Sequence, residues 1–108
     1  MISTIKNALK PVGLPIYFLD RGKASPPCIV FSYTSTPHKH SNNQVESTMY
    51  GVLINLYMNG DFTNVEKEIK THLKNSGFIE QMTPTPIWES EANSYNVAMA
   101  FYFEKYHF

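Results

Sequence analysis

The sequence contains a single cysteine, Cys28, among its 108 residues. One cysteine cannot form an internal disulfide, and it cannot build a cysteine-rich zinc cluster. The chain is therefore compatible with a reducing compartment such as the cytoplasm. Because Cys28 lies inside an apolar segment, we expect its thiol to behave as a small, unreactive hydrophobic side chain.

Long apolar runs are also missing. The most apolar stretch, Met49 to Met58, is interrupted by Gly51 and Asn55. It is far shorter than the roughly 20 residues that a membrane-spanning helix needs. The first ten residues lack the apolar core of a signal peptide. We therefore expect a soluble intracellular protein with no membrane partner.

The chain has no net charge, because it contains nine Lys and Arg residues and nine Asp and Glu residues. A protein that binds nucleic acid through phosphate contacts shows an excess or a stripe of basic residues. A balanced chain also has little repulsion between its copies, which favours self-association. The hydrophobic share of 43% and the length predict one globular domain over residues 1–108.

The spacing of apolar residues predicts two helices. Ile2–Lys10 is expected to form a short first helix, which ends before a proline. The second begins near Thr63, where Thr63 and Glu66 have the spacing of a capping box. Gly77 lies at the position where a residue in the left-handed conformation commonly ends a helix.

Alternating or β-branched runs predict five strands, which are Pro15–Leu19, Cys28–Ser35, Val45–Asn59, Ile87–Ser90 and a final strand from about Tyr95. The last two strands should form a hairpin. The resulting order, α-β-β-β-α-β-β, is typical of an α+β domain, with a mostly antiparallel sheet and two α-helices packed on one face. In the third strand both alternate sets of side chains include apolar residues. That strand is therefore central, or its second face meets another molecule.

The segment 34–47 carries His38 and His40, which are two positions apart. On a strand such residues share one face and can reach a common metal. However, Pro37 before them and Ser-Asn-Asn after them are typical of a loop. A zinc site also needs further ligands, and the cysteine and the other histidines fall in separate elements. We therefore predict a polar loop at about residues 35–44, with no metal and no other cofactor.

The sequence contains no catalytic signature, and we predict that the protein is not an enzyme. Glu89 and Glu91 flank Ser90, but two solvated charges near a turn explain them. The run Ala100-Phe101-Tyr102-Phe103 loosely resembles a base-stacking strand of RNA-recognition sheets. The basic residue and glycine upstream of that signature are missing, and the element order differs. A small nucleic-acid-binding module is therefore kept as an alternative of a different class.

The whole pattern resembles the tail-completion or tail-terminator family of bacteriophages with long non-contractile tails and of their prophages. The resemblance rests on order and spacing over nearly the whole chain. Its segments are the helix STIKNALK, the proline-introduced strand in GLPIYFLDRGKASPPCIVFSY, the strand, turn and helix in YGVLINLYMNGDFTNVEKEIKTHLKNSGF, and the acidic turn and final strand in WESEANSYNVAMAFYF. None of these segments is a catalytic signature.

The resemblance implies a structural virion protein. Such proteins form a homo-oligomeric ring, commonly a hexamer, that caps the finished tail tube and ends its polymerisation. The ring contacts the tail tube protein and the head-completion protein, and DNA passes through it without sequence-specific binding. The protein would lie in the tail or neck of the virion, and in the host cytoplasm during assembly. A different neck, head–tail connector or minor tail component is the neighbouring interpretation.

Two sets of site residues follow from this interpretation. In the related proteins long loops project toward the tube or the lumen, and the loop residues expected to do so are Thr36, His38, Lys39, His40, Asn42 and Asn43. Contacts between subunits are expected at Leu53, Tyr57, Tyr102 and Tyr106. A closed ring requires that one patch of each subunit fits a different patch of its neighbour.

Overall fold

The computed structural model describes residues 1–41, 44–83, 86–91 and 93–107. Over these residues the chain forms two α-helices and six strands. Helix α1 spans Ile2–Leu9 and continues into a 3-10 turn at Lys10–Val12, and helix α2 spans Thr63–Asn75. The strands are β1 (Ile16–Phe18), β2 (Cys28–Ser41), β3 (Gln44–Met58), β4 (Ile79–Met82), β5 (Ile87–Glu89) and β6 (Ser94–Tyr106). Neither described helix is long and apolar enough to cross a membrane.

All six strands belong to one sheet in the order β1-β2-β3-β6-β4, and β5 also pairs with β6. Strand β1 runs parallel to β2, whereas every other pairing is antiparallel. The predicted α+β class, the mostly antiparallel sheet and the closing β5–β6 hairpin are thus confirmed. Strand β4 was not predicted, because its four residues do not form an apolar or alternating run.

One face of the sheet, called the inner face, packs against both helices. The core side chains on this face are Ile29, Phe31, Val52, Ile54, Leu56, Val97, Met99 and Phe101, and those of the helices are Ile5, Leu9, Ile69 and Leu73. All of them are almost completely buried. Burial of each large apolar side chain stabilises the fold by about 1.5–3 kcal/mol. The predicted packing of two helices on one face is therefore confirmed.

Helix α2 ends at a left-handed glycine, as predicted. Gly77 has a φ of +95°, a value that is strained for residues with a Cβ atom. The Phe78 amide donates to the Leu73 carbonyl at 3.0 Å, and the Gly77 amide donates to the Lys74 carbonyl at 3.1 Å. These two bonds form a Schellman motif, which satisfies carbonyls at the end of the helix.

The beginning of α2 differs from the prediction. Thr63 is already the first helical residue, and no side chain of the N-cap residue Phe62 makes a capping bond. The Asp61 carboxylate instead accepts a hydrogen bond from the Thr63 amide at 3.0 Å, and this bond lowers the pKa of Asp61. The Thr63–Glu66 capping box is therefore wrong. At this helix end the acceptor of a backbone amide is thus the Asp61 carboxylate and not the Thr63 hydroxyl.

The polar loop predicted at about residues 35–44 is also wrong. Strand β2 continues to Ser41, β3 begins at Gln44, and the two strands stay paired along this whole length. The register shifts on both sides of Lys39, which is where an irregular ladder tolerates Pro37. Pairing with a neighbouring strand has outweighed the local loop preference. The domain is consequently elongated, with extents of 52 × 24 × 24 Å.

Candidate functional site

The second face of the sheet, called the outer face, has no helix packed on it in the described part of the chain. Its residues alternate with those of the core, and the cross-strand rows are Ser32–Leu53–Ala100–Met82 and Thr34–Gly51–Tyr102–Ile79. Three apolar side chains of these rows are well exposed: Leu53 by 41%, Ile79 by 52% and Met82 by 59%. An apolar surface in the middle of a sheet is the first candidate for a binding site.

A shallow depression lies at the centre of the outer face. This outer depression is lined on that face by Ser32, Thr34, Gly51, Leu53, Gln81 and Ala100. Gly51 keeps it open, since a Cβ atom at this position would lie only 3.1 Å from Thr34 Oγ1. The small side chain of Ala100 adds little height beside it. A projecting side chain of another molecule can therefore approach the backbone closely here.

The proximal end of the outer face, at the β1–β2 connection, is partly covered from within. The Arg21 guanidinium lies 5.3 Å from the centre of the Tyr57 ring. Cys28, which is opposite Tyr57 in the register, is completely buried. Burial raises the pKa of the Cys28 thiol and also that of Tyr57, whose pKa the Glu89 carboxylate raises further. Tyr57 is therefore on the outer face but already has a neighbour in its own chain.

The distal end of the outer face, near residues 41 and 44, holds a polar network. This network joins the hairpin of β2 and β3, called the distal hairpin, to β6. Lys39 Nζ donates to the Tyr106 hydroxyl at 2.9 Å, and this hydroxyl donates to Glu104 Oε1 at 2.8 Å. Ser47 Oγ donates to Glu104 Oε2 at 2.8 Å. His38 Nε2 lies 3.7 Å from the same carboxylate oxygen. Of the residues predicted for the loop, His38 and Lys39 thus lie in this network, together with Tyr106, which was predicted to contact another subunit.

The electrostatics of this network match its geometry. The hydrogen bond from Ser47 is the main reason why the pKa of Glu104 is lowered, and Tyr106 and Lys39 lower it further. The hydrogen bond to Tyr106 is the main reason why the pKa of Lys39 is raised. Both groups therefore keep their charges over a wider pH range. The network therefore holds the C-terminal end of β6 against the distal hairpin of β2 and β3.

The same network does not activate a nucleophile. A serine becomes nucleophilic when a base such as histidine takes its proton. Here Ser47 donates to the Glu104 carboxylate and not to a histidine, and His38 Nε2 lies 3.7 Å from the same carboxylate oxygen. Among residues 1–41, 44–83, 86–91 and 93–107, no three His, Cys, Asp or Glu side chains lie together in a group that could hold a metal ion.

The other predicted loop residues do not join the network. Thr36 and His40 are exposed residues of β2, opposite Met49 and Val45 in the register. Asn42 and Asn43 lie outside the described residues. Of the predicted contact residues, Leu53 and Tyr102 belong to the middle of the outer face, whereas Tyr106 belongs to its distal end.

A second apolar patch lies on the inner side of the sheet, at the proximal end. This aromatic cluster consists of Trp88, Tyr95 and Phe62. The Trp88 and Tyr95 rings are 4.9 Å apart, and the Tyr95 and Phe62 rings are 5.4 Å apart. Trp88 is 48% exposed and Tyr95 is 37% exposed. This cluster was not predicted from the sequence, although the predicted β5–β6 hairpin was a signal that Trp88 and Tyr95 could be neighbours.

Neither a protein-family model nor a curated protein sequence matches this chain. The resemblance to tail-terminator proteins therefore stays a prediction. Within the described residues the geometry offers two apolar surfaces that no other element covers and a polar, hydrogen-bonded distal end, which are features that suit binding between proteins.

Proposed function

We propose that this protein is a structural subunit that caps the tail tube of a bacteriophage with a long non-contractile tail. Copies of the chain form a ring on the finished tube and end its polymerisation. The ring then presents a surface to the head-completion protein of the neck. The resemblance implies six copies in the assembled ring.

The observation that carries this proposal is the uncovered outer face. Leu53 on β3 and Ile79 and Met82 on β4 are exposed on the two strands that flank β6, and the small Ala100 lies between Leu53 and Met82. Soluble monomers rarely expose large contiguous apolar patches without using them. A subunit that covers this face with a second copy removes the apolar area from water, which stabilises the assembly.

The charge balance supports the same role. The formal net charge is zero, so copies do not repel one another strongly when they assemble. Zero net charge also supports a channel through which DNA passes without being held, because tight phosphate binding requires a basic surface. The proposed location is the tail or neck of the virion, after assembly in the host cytoplasm.

The distal end of the hairpin has a separate role in this proposal. Strand β3 has 15 residues, which corresponds to roughly 50 Å at 3.3–3.4 Å per residue. Thr36 and His40 are exposed on the strand paired with its distal half. We propose that this polar end contacts the tail tube or lines the lumen of the ring.

Electron microscopy of purified tail tubes mixed with the purified protein tests the function. We expect annular particles at the tube ends, and none on tubes without the protein. Leu53→Asp should abolish capping, whereas Thr71→Asp, at an exposed position of α2, should not. Tubes that stay uncapped at saturating protein would refute the terminator role. Binding only at the joint between head and tail would indicate a different neck component.

A further inference from the structure

The part of the chain that the structure describes exposes two apolar patches, the outer depression and the aromatic cluster, which differ in shape and lie on opposite sides of the sheet. The outer depression is shallow, and its lining includes Gly51 and Ala100 on the two paired strands β3 and β6. The aromatic cluster offers a large accessible ring, since nearly half of the Trp88 side chain is exposed. The outer depression has room for a large side chain, and the aromatic cluster offers one. The following inference concerns the contact between neighbouring copies and rests on the proposed ring.

Two outer faces do not fit each other well. Sheets that pack face to face lie about 10 Å apart, and large side chains must fill the space between them. In a symmetric contact between two copies, Gly51 and Ala100 of both chains would face the centre and leave a gap there. Gaps of this kind forfeit dispersion contacts and weaken an interface. The outer depression therefore requires a partner with a projecting side chain.

Trp88 has the properties of such a side chain. Its ring stands edge-on to Tyr95, and Tyr95 contacts Phe62 in turn. A ring that is already held by its neighbours loses little conformational entropy when it binds. Tryptophan is also among the residue types that most often dominate the binding energy of protein interfaces.

We propose that Trp88 of one copy inserts into the outer depression of the next copy. The contact is then heterologous, because each chain uses its aromatic cluster on one side and its outer face on the other. Since the two patches lie on opposite sides of the sheet, the contact repeats from copy to copy and can close into a ring.

Two observations support a second copy as the partner. The neutral chain sets up no net repulsion between copies. The 52 × 24 Å extents of the subunit also leave the outer face room for the roughly 800 Å² per partner that a stable interface buries.

The test uses two variants, each of which damages one patch. Trp88→Ala removes the projecting ring, and Leu53→Glu places a charge in the outer depression. Each variant alone should associate about tenfold more weakly than the wild type, or less still, by light scattering over rising protein concentration. A one-to-one mixture should form dimers and nothing larger. In such a dimer Trp88 of the Leu53→Glu chain inserts into the outer depression of the Trp88→Ala chain.

Tryptophan fluorescence gives an independent readout, because Trp88 is the only tryptophan in the chain. In the mixture the emission should shift to shorter wavelength as the ring leaves water. The Leu53→Glu variant alone should show no such shift. Thr71→Glu carries the same charge change on α2 and should associate as the wild type does.

Circular dichroism of each variant checks that it is folded, and Trp88→Gln replaces Trp88→Ala if the smaller side chain disturbs the β5–β6 hairpin.

Normal association of the tryptophan variants, a mixture that stays monomeric, or a wild-type chain that is monomeric at millimolar concentration would overturn the proposal. Because the assay contains no tail tubes, its result is separate from the capping experiment. Association through Trp88 without capping would refute the tail function alone.

Discussion

Lys39 and Tyr106 are 67 positions apart in the sequence, yet the Lys39 ammonium donates a hydrogen bond of 2.9 Å to the Tyr106 hydroxyl. Lys39 belongs to β2 and Tyr106 to β6, and β3 lies between these strands. The bond therefore crosses the middle strand and ties the end of the chain to the distal hairpin. Glu104 completes the tie by accepting a hydrogen bond from Tyr106.

Removal of the Tyr106 hydroxyl should loosen this end of the sheet. Tyr106→Phe keeps the ring but takes away the hydroxyl that bonds to both Lys39 and Glu104, and only the ion pair between Lys39 Nζ and Glu104 Oε2 at 3.7 Å still joins these two residues directly. Amide hydrogen exchange in residues 44–49 and 103–106 should become severalfold faster, while residues 97–101 keep their protection. Tyr17→Phe in β1 is the matched control. Unchanged exchange at the distal end would show that the network contributes nothing to its order.

Stability should fall in acid partly because of Glu80. Its pKa is lowered chiefly by the hydrogen bond from Thr83 and then by that from Lys70; the Lys70 ammonium lies 3.1 Å from Glu80 Oε2. Because the folded pKa lies below the unfolded value, this stabilisation is complete above the unfolded pKa. It is lost as the pH falls through the folded pKa.

Thermal unfolding of Glu80→Gln and of the wild type measures this contribution. At about pH 7 the variant should be less stable by about 0.5–1 kcal/mol. The difference should shrink as the pH falls below the ordinary range of a glutamate carboxylate, because the wild-type carboxylate then becomes protonated as well. A difference that stays constant over this pH range would contradict the assigned cause.

Gly77→Ala should destabilise the fold by about 1 kcal/mol. Its φ of +95° is strained for alanine, and the added Cβ atom would lie 3.2 Å from Phe103 Cε2. Gly60→Ala is the control, because it has no left-handed φ and no atom within 4 Å of the added methyl group. Urea unfolding midpoints compare the two. Equal effects would mean that the left-handed helix end is not the cause.

The two faces of β3 and β6 should respond differently to truncation. Met99 is completely buried on the inner face, so Met99→Ala should cost about 2–5 kcal/mol of unfolding free energy. Leu53→Ala on the outer face should change it by less than about 0.5 kcal/mol. The Leu53 variant should instead weaken association of copies by light scattering. A large loss of stability in Leu53→Ala would mean that the outer face is covered within the subunit.

The proposed role of the distal hairpin makes a prediction about tail joining. The double variant Thr36→Ala and His40→Ala changes two exposed side chains of β2 and should leave the thermal unfolding midpoint unchanged. It should lower the number of capped tubes severalfold in the microscopy assay. Wild-type capping by the double variant would remove these side chains from the interface with the tube.

The mistaken loop at residues 35–44 shows where local patterns fail. Pro37, the histidines and the Ser-Asn-Asn run have the composition of a loop. The strand forms because Gln44–Met58 lies beside it and offers backbone partners nearly to its end, and a single-segment pattern contains no information about such a partner. The unpredicted β4 has the same cause, since its four residues become a strand only beside β6.

The sequence by itself determined the α+β class, the packing of both helices on one face and the left-handed end of α2. These features depend on alternation, helical spacing and a glycine, which act over a few residues. Only the tertiary structure decided how far the hairpin extends and which side chains meet on its surface. Trp88, Tyr95 and Phe62 become one patch, and Lys39 reaches Tyr106, because pairing between distant strands brings them together. Such pairing depends on the register of the whole sheet, which no short segment encodes.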